Sequence, residues 1–195
     1  MKRAFDLVAA TGLLVFLGLP LLVVAMALRL QQGPNVLFKQ QRIGRWGRPF
    51  AILKFRTMRP EKPGDSAITA GESDLRVTAI GAVLRRFRID EWPQLWNVIK
   101  GEMSLVGPRP EVPEFVDLSS SDWEVILQVR PGITGPDALE FKDEGQLLAA
   151  ADDPNMCYRQ DILPQKMDIQ LRYAQQHSFA GDLRILFRTL GALRG

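Results

Sequence analysis

The sequence predicts a mixed α/β fold, rich in helix, for a monotopic membrane protein with a re-entrant, Pro-kinked N-terminal helix and interfacial amphipathic helices. Three observations carry this. Residues 7–28 form an uncharged, mostly apolar run of 22 residues. Short apolar stretches punctuated by Gly and Pro follow over 31–60, the pattern of strands and turns. Beyond residue 90, apolar residues recur at three- and four-residue spacing, the period of helices. The organisation expected is a membrane element over 1–30 and a domain on the cytosolic face over 31–195.

At ~1.5 Å per residue the N-terminal run is long enough to cross a hydrocarbon layer of about 30 Å. It is longer than the apolar core of a signal peptide, and no small-x-small cleavage site follows it before the basic stretch at 39–48. A single span has no clear orientation, because Lys2 and Arg3 precede it while Arg29, Lys39, Arg42, Arg45 and Arg48 follow. Pro20, with Gly18 two residues before it, removes a helical hydrogen bond in mid-run and predicts a kink. A kinked helix that enters one leaflet and returns leaves both basic flanks on the same face. An ordinary kinked transmembrane helix is the alternative.

Residues 36–38 and 50–55 read as short strands, with turns at Gly33-Pro34 and over 44–49. Residues 60–74, with their prolines, glycines and acids, read as an exposed loop. A helix is expected over 91–98, with Trp92, Leu95, Trp96 and Ile99 on its apolar side, Asp90 as N-cap and Pro93 in the first turn. Three prolines make 107–113 irregular. Further helices are expected over 122–129, 145–151 and 163–176. The last, over 181–193, gathers Leu183, Leu186, Phe187, Leu190 and Leu193 on one face and Arg184 and Arg188 on the other. That pattern suits a membrane interface and core packing equally.

The chemistry must come from acids, arginines and lysines. Cys157 is the only cysteine and His177 the only histidine, so no disulfide, zinc cluster or His-based triad is available. No GxxxxGK[ST] or GxGxxG loop is present, which argues against the common NTPase and dinucleotide folds. The net charge of +3 hides an asymmetry: residues 1–60 hold ten Lys/Arg and one acid, residues 61–195 fifteen and twenty-one. Positive charge beside the apolar run points to anionic lipid or phosphate ligands, and no nucleic-acid motif is present.

Three clusters qualify. In Lys54-Phe55-Arg56-Thr57-Met58, strand alternation sets Lys54 and Arg56 on one face, where two cations suit a diphosphate or simply a solvated edge. Arg85-Arg86-Phe87-Arg88-Ile89-Asp90-Glu91 brings two carboxylates beside three arginines. A carboxylate held ionised there can act as nucleophile, and its neighbour can hold Mg²⁺; a capped helix with surface ion pairs is the plainer alternative. In Gly107-Pro108-Arg109-Pro110 the prolines fix the backbone around Arg109 and present its guanidinium at little ordering cost.

KFRTM, RRFRIDEWPQLWNVIKGEMSLVGPRP and VRPGITG, in that order behind a Pro-broken apolar segment, strongly resemble the bacterial sugar transferases, the monotopic phosphoglycosyl transferases. The resemblance covers nearly the whole chain. It implies transfer of a sugar-1-phosphate from a UDP-sugar donor to a polyprenyl phosphate acceptor such as undecaprenyl phosphate, with release of UMP. This would be the initiating step of a cell-surface glycan, on the cytoplasmic face of the bacterial inner membrane among membrane lipids. It implies Asp90 as the nucleophile that forms a phosphosugar-aspartyl intermediate, and Glu91 as a ligand for Mg²⁺. Lys54, Arg56, Arg85 and Arg109 are the implied phosphate or nucleotide contacts, with Arg130 and Asp182 as weaker ones. Leu19 stands before Pro20 where many relatives have Ser, and Pro136-Asp137-Ala138-Leu139 stands where many continue Trp-Ala-Gln-Val. The sugar and the oligomeric state are left open. The rival expectation is a catalytically silent membrane scaffold of the same fold.

Overall fold

The computed structural model describes residues 1–59 and 76–192, so the loop expected at 60–74 and residue 193 of the helix expected over 181–193 lie outside the described residues. The N-terminal run forms two helices, α1 (Lys2–Phe16) and α2 (Gly18–Gln32), whose axes meet at 60°. The break falls at Leu17, one turn before Pro20. Proline has no N–H to offer the Phe16 carbonyl, so helical bonding lapses and resumes with Leu21 N–H to Leu17 O at 2.8 Å. No single helix among the described residues is long and apolar enough to cross a membrane; this bent pair is so only together. Its outer surface is apolar, with Val15, Phe16, Leu19, Leu22, Val23 and Leu30 all exposed.

The inner surface of α1 belongs to the main core. Phe5, Ala9 and Ala10 pack with Phe50, Ile52, Leu95, Val98 and Met103. Lys2 and Arg3, the basic flank before the run, turn inward: Lys2 Nζ donates to Val106 O (2.8 Å), and Arg3 donates to the carbonyls of Val98 and Ile99. Those carbonyls lie in the last turn of a helix, at the negative end of its dipole, so a cation there is favourable. Leu28 of α2 packs separately with Phe55 and Leu84.

β1 (Leu37–Ile43) and β2 (Pro49–Phe55) form an antiparallel hairpin around the expected turn, with Phe38 opposite Lys54. α3 (Ala79–Arg86) starts at Thr78, whose Oγ1 accepts from Gly81 N–H, an N-cap that the sequence pattern did not single out. The helix expected from residue 91 starts later. Ile89–Glu91 make a 3₁₀ turn and α4 (Gln94–Lys100) follows with Pro93 at its N-cap, so Asp90 caps nothing. Its buried side is Gln94, Leu95, Asn97 and Val98, and Trp96 is half-exposed. Asn97 fastens α4 to β2: it accepts from Leu53 N–H (3.1 Å) and donates to Ala51 O (2.8 Å).

β3 (Ser104–Val106) pairs in parallel with β4 (Gly132–Thr134), α5 (Ser121–Ile126) lying between them in sequence. α6 (Pro136–Glu140), α7 (Glu144–Ala150), α8 (Pro154–Cys157) and a π turn, Tyr158–Ile162, lead into α9 (Leu163–Gln176) and α10 (Phe179–Ala192). α10 divides its expected apolar face: Leu186, together with Ile185, faces the main core while Phe187 and Leu190 stay exposed.

Candidate active site

Arg88 turns the chain sharply, with φ of 53°, a left-handed conformation that costs a non-glycine residue about 1 kcal/mol or more. The 3₁₀ turn that follows withdraws two consecutive carboxylates from water: Asp90 is 8% exposed and Glu91 6%. Their surroundings differ. Glu91 Oε1 accepts from Lys54 Nζ at 2.7 Å and from Arg109 Nη2 at 3.2 Å. Burial alone would raise its pKa, but Lys54 and Arg109 overcome that and hold the carboxyl well below the usual range. Asp90 accepts no hydrogen bond and makes no ion pair among the described residues. Burial and then the charge of Glu91 push its pKa up, against an opposing pull from Lys54, Arg85 and Arg109. Burial lowers the Lys54 pKa, with Glu91 opposing.

Arg85 is carried by the last turn of α3. Its Nε donates to Thr57 Oγ1 (2.9 Å) and its Nη2 to Met58 Sδ (3.0 Å). KFRTM thus supplies Lys54 from β2 and a seat for Arg85 in the residues after it. The close approach depends on Gly81, where a Cβ would stand 2.1 Å from Thr57 O.

Arg109 sits on the loop after β3, and that loop is tied at every residue from 106 to 110. Val106 O accepts from Lys2, Gly107 N–H donates to Thr134 O (2.9 Å), and Pro108 O accepts from Gly132 N–H (2.9 Å). Arg109 N–H donates to Asp137 Oδ2 (3.0 Å), and Pro110 O accepts from Arg42 (3.0 Å). A Cβ on Gly132 would lie 2.1 Å from Gly107 N, so the Gly of VRPGITG is what lets the two loops touch. Behind the loop, Glu111 pairs with Lys166 Nζ (3.0 Å), and Lys166 with Glu144 (3.1 Å) and the Tyr158 hydroxyl (2.9 Å).

Lys54, Arg85, Asp90, Glu91 and Arg109 therefore converge. The other expected contacts do not join them by any bond. Arg56 falls just past β2; only its main chain is bonded, to Val36 and Gln32, and its guanidinium has no partner among the described residues. Arg130 Nε donates to Gly101 O (2.9 Å) at the end of α4. Asp182 is buried in a separate cluster, at 2.5 Å from Lys2 Nζ and 2.6 Å from the Tyr173 hydroxyl. Among the described residues no three His, Cys, Asp or Glu side chains gather as a metal cage. Mg²⁺ is commonly held by one or two carboxylates plus substrate phosphates. Asp90 and the free Glu91 Oε2 fit such a shared arrangement.

Buried carboxylates among three cations suit the handling of phosphate groups. The chain belongs to the bacterial sugar transferase family, whose family model matches residues 1–194. It is 36% identical over 98% of its length to a UDP-glucose:undecaprenyl-phosphate glucose-1-phosphate transferase of Caulobacter vibrioides, covering 69% of that protein. It is 35% identical over 97% of its length to a UDP-N-acetylgalactosamine-undecaprenyl-phosphate N-acetylgalactosaminephosphotransferase of Aeromonas hydrophila, covering 43%. An exopolysaccharide production protein, ExoY, of Rhizobium meliloti is 35% identical over 98% of the chain and covered to 84%. The chain thus spans between under half and most of the length of these relatives.

Proposed function

We propose that this protein transfers a sugar-1-phosphate from a UDP-sugar to undecaprenyl phosphate, giving undecaprenyl-diphosphate-sugar and UMP, as the initiating step of a cell-surface glycan. The two transferases described above act on undecaprenyl phosphate by name, and their glucose and N-acetylgalactosamine donors differ at almost equal identity to this chain. Overall identity therefore does not select the sugar.

The observation that carries the reading is Asp90, a buried carboxylate with no bond among the described residues, beside a neighbour whose Oε1 is engaged by Lys54 and Arg109. An Asp90 oxygen attacks the phosphorus that bears the sugar. The bond to the bridging oxygen breaks, and UMP leaves with the electron pair. Lys54, Arg85 and Arg109 offset the phosphate charge that gathers in this step. An oxygen of the lipid phosphate then attacks the same phosphorus and displaces the Asp90 carboxylate, which regenerates the enzyme. Glu91, paired with Lys54 and Arg109, fixes both cations. Mg²⁺, held by Asp90 or Glu91 together with the donor diphosphate, would supply further charge neutralisation. In this reading the α1–α2 pair dips into the cytoplasmic leaflet of the inner membrane through its exposed apolar side and holds the site at headgroup depth.

The test is UMP release from a panel of UDP-sugars with Mg²⁺ and undecaprenyl phosphate, with intact-mass analysis of the protein in a parallel reaction lacking lipid. Release confined to one or two sugars, a phosphosugar adduct on Asp90 and loss of both in Asp90→Asn are expected. Turnover by Asp90→Asn near the wild-type rate would remove the nucleophile.

A further inference from the structure

Arg109 points at Glu91 from a loop, so the direction of its guanidinium depends on its own main chain. Both polar groups of that main chain are held by buried side chains from elsewhere. Its N–H donates to Asp137 Oδ2 (3.0 Å), and its carbonyl accepts from Gln170 Nε2 (3.3 Å). The same Gln170 nitrogen donates to Asp137 Oδ2 at 2.6 Å, which closes a three-membered clamp. Asp137 is 0% exposed and Gln170 1%.

Gln170 is the centre of a polar stripe on α9. Lys166, Gln170 and Tyr173 stand at i, i+4 and i+7 on one helical face, where a core helix usually carries apolar residues. Each meets the loop in turn: Lys166 reaches Glu111 (3.0 Å), Gln170 reaches Arg109, and the Tyr173 hydroxyl reaches Val106 O (3.3 Å). The helix and the loop therefore run antiparallel, bonded at 111, 109 and 106. Asp137 Oδ1 and Gln170 Oε1 are buried without a partner among the described residues, which costs free energy that an apolar core would not. Burial also keeps the clamp from touching a bound donor directly.

We propose that Asp137 and Gln170 are positioning residues that aim Arg109 at the dyad, so that α6 and α9 set the reactivity of a site to which they contribute no contacting side chain. This rests on the transferase reading above. The test uses the full chain in nanodiscs, as Asp137→Ala, Asp137→Asn, Gln170→Met, Arg109→Ala and the Asp137→Ala/Arg109→Ala double variant. Turnover, donor KM, Tm and amide exchange over residues 107–111 are measured on each. Asp137→Ala is expected to lose about tenfold to a hundredfold in kcat/KM, the scale of an ångström misplacement. Asp137→Asn, whose side-chain carbonyl still accepts from the Arg109 N–H, stays within about threefold, because that bond is kept. In the Arg109→Ala background Asp137→Ala adds nothing, since the residues act as one unit. A full additional loss there, or no loss in Asp137→Ala alone, overturns the proposal. If Asp137→Ala does not fold, Gln170→Met takes its place, its double variant with Arg109→Ala being judged the same way. If the wild type itself transfers nothing, the transferase reading has failed, and exchange decides the clamp. Faster exchange over 107–111 at unchanged Tm supports it, and unchanged exchange overturns it.

Discussion

Asp90 and Glu91 are adjacent, equally buried and electrostatically opposite. The folded state raises the Asp90 pKa, so the fold binds that proton more tightly than the unfolded chain does, and its ionisation lowers stability as pH rises through the interval between the two values. Glu91 is depressed, so its contribution is present above its unfolded value and is lost as pH falls through the folded one. Asp90→Asn should therefore raise Tm at neutral pH by ~2–4 °C, on the order of 1 kcal/mol, while abolishing transfer. Glu91→Gln should lower stability by about 1–3 kcal/mol, since it leaves two partly buried cations without their carboxylate. Thermal unfolding of both variants checks the pair of signs, and the Asp90 shift also places the acid limb of the turnover profile above the ordinary aspartate range.

At the scale of elements, single contacts between segments far apart in sequence place the cations. α3 can lie on the residues after β2 only because position 81 has no side chain; a Cβ there would come within 3 Å of three Thr57 atoms. Gly81→Ala must push α3 outward and lift Arg85 off Thr57 and Met58. Turnover should fall with a stability loss of about 1–3 kcal/mol, read from activity and unfolding together. Such contacts mark the limit of what the sequence makes legible. Lys54, Arg85, Asp90, Glu91 and Arg109 stand out because their charges cluster locally with turn residues. Asp137, Gln170 and Thr57 do not, because each acts across a long sequence separation and carries no local signal beyond a polar residue. β3 and β4 are three residues each, too short for alternation to show. Asp90 was expected to cap a helix because Asp before an apolar run fits that role. The left-handed turn at Arg88 and the delayed start of α4 leave its carboxylate without a hydrogen bond among the described residues.

Across the whole molecule, the N-terminal segment has two sides with different partners. One side of α1 is fixed in the core, where Asp6 accepts from Ser104 Oγ (2.8 Å) and Leu105 N–H (3.3 Å) beside the start of the Arg109 loop. The other side, continued along α2, is exposed and apolar. Val23→Asp, on that exposed side, should shift the protein from the membrane fraction toward the soluble one and leave Tm in detergent within about a degree or two, because surface changes away from packed contacts usually cost under about 0.5 kcal/mol. Fractionation and unfolding of the same preparation check it. The length of the N-terminal run and the presence of a bend were legible from composition and one proline. That α1 is also a core helix was not, because an apolar run reads alike against lipid and protein.

Asn97 has a consequence beyond fastening α4. A hairpin of only two strands has two outer edges, and an open edge is a template on which other chains can stack. Asn97 occupies the main-chain groups of Ala51 and Leu53 on the outer side of β2, while Glu111 O takes the N–H of Ile43 at the end of β1. The residue that sets the strand bearing Lys54 thereby also denies its free edge to neighbouring copies.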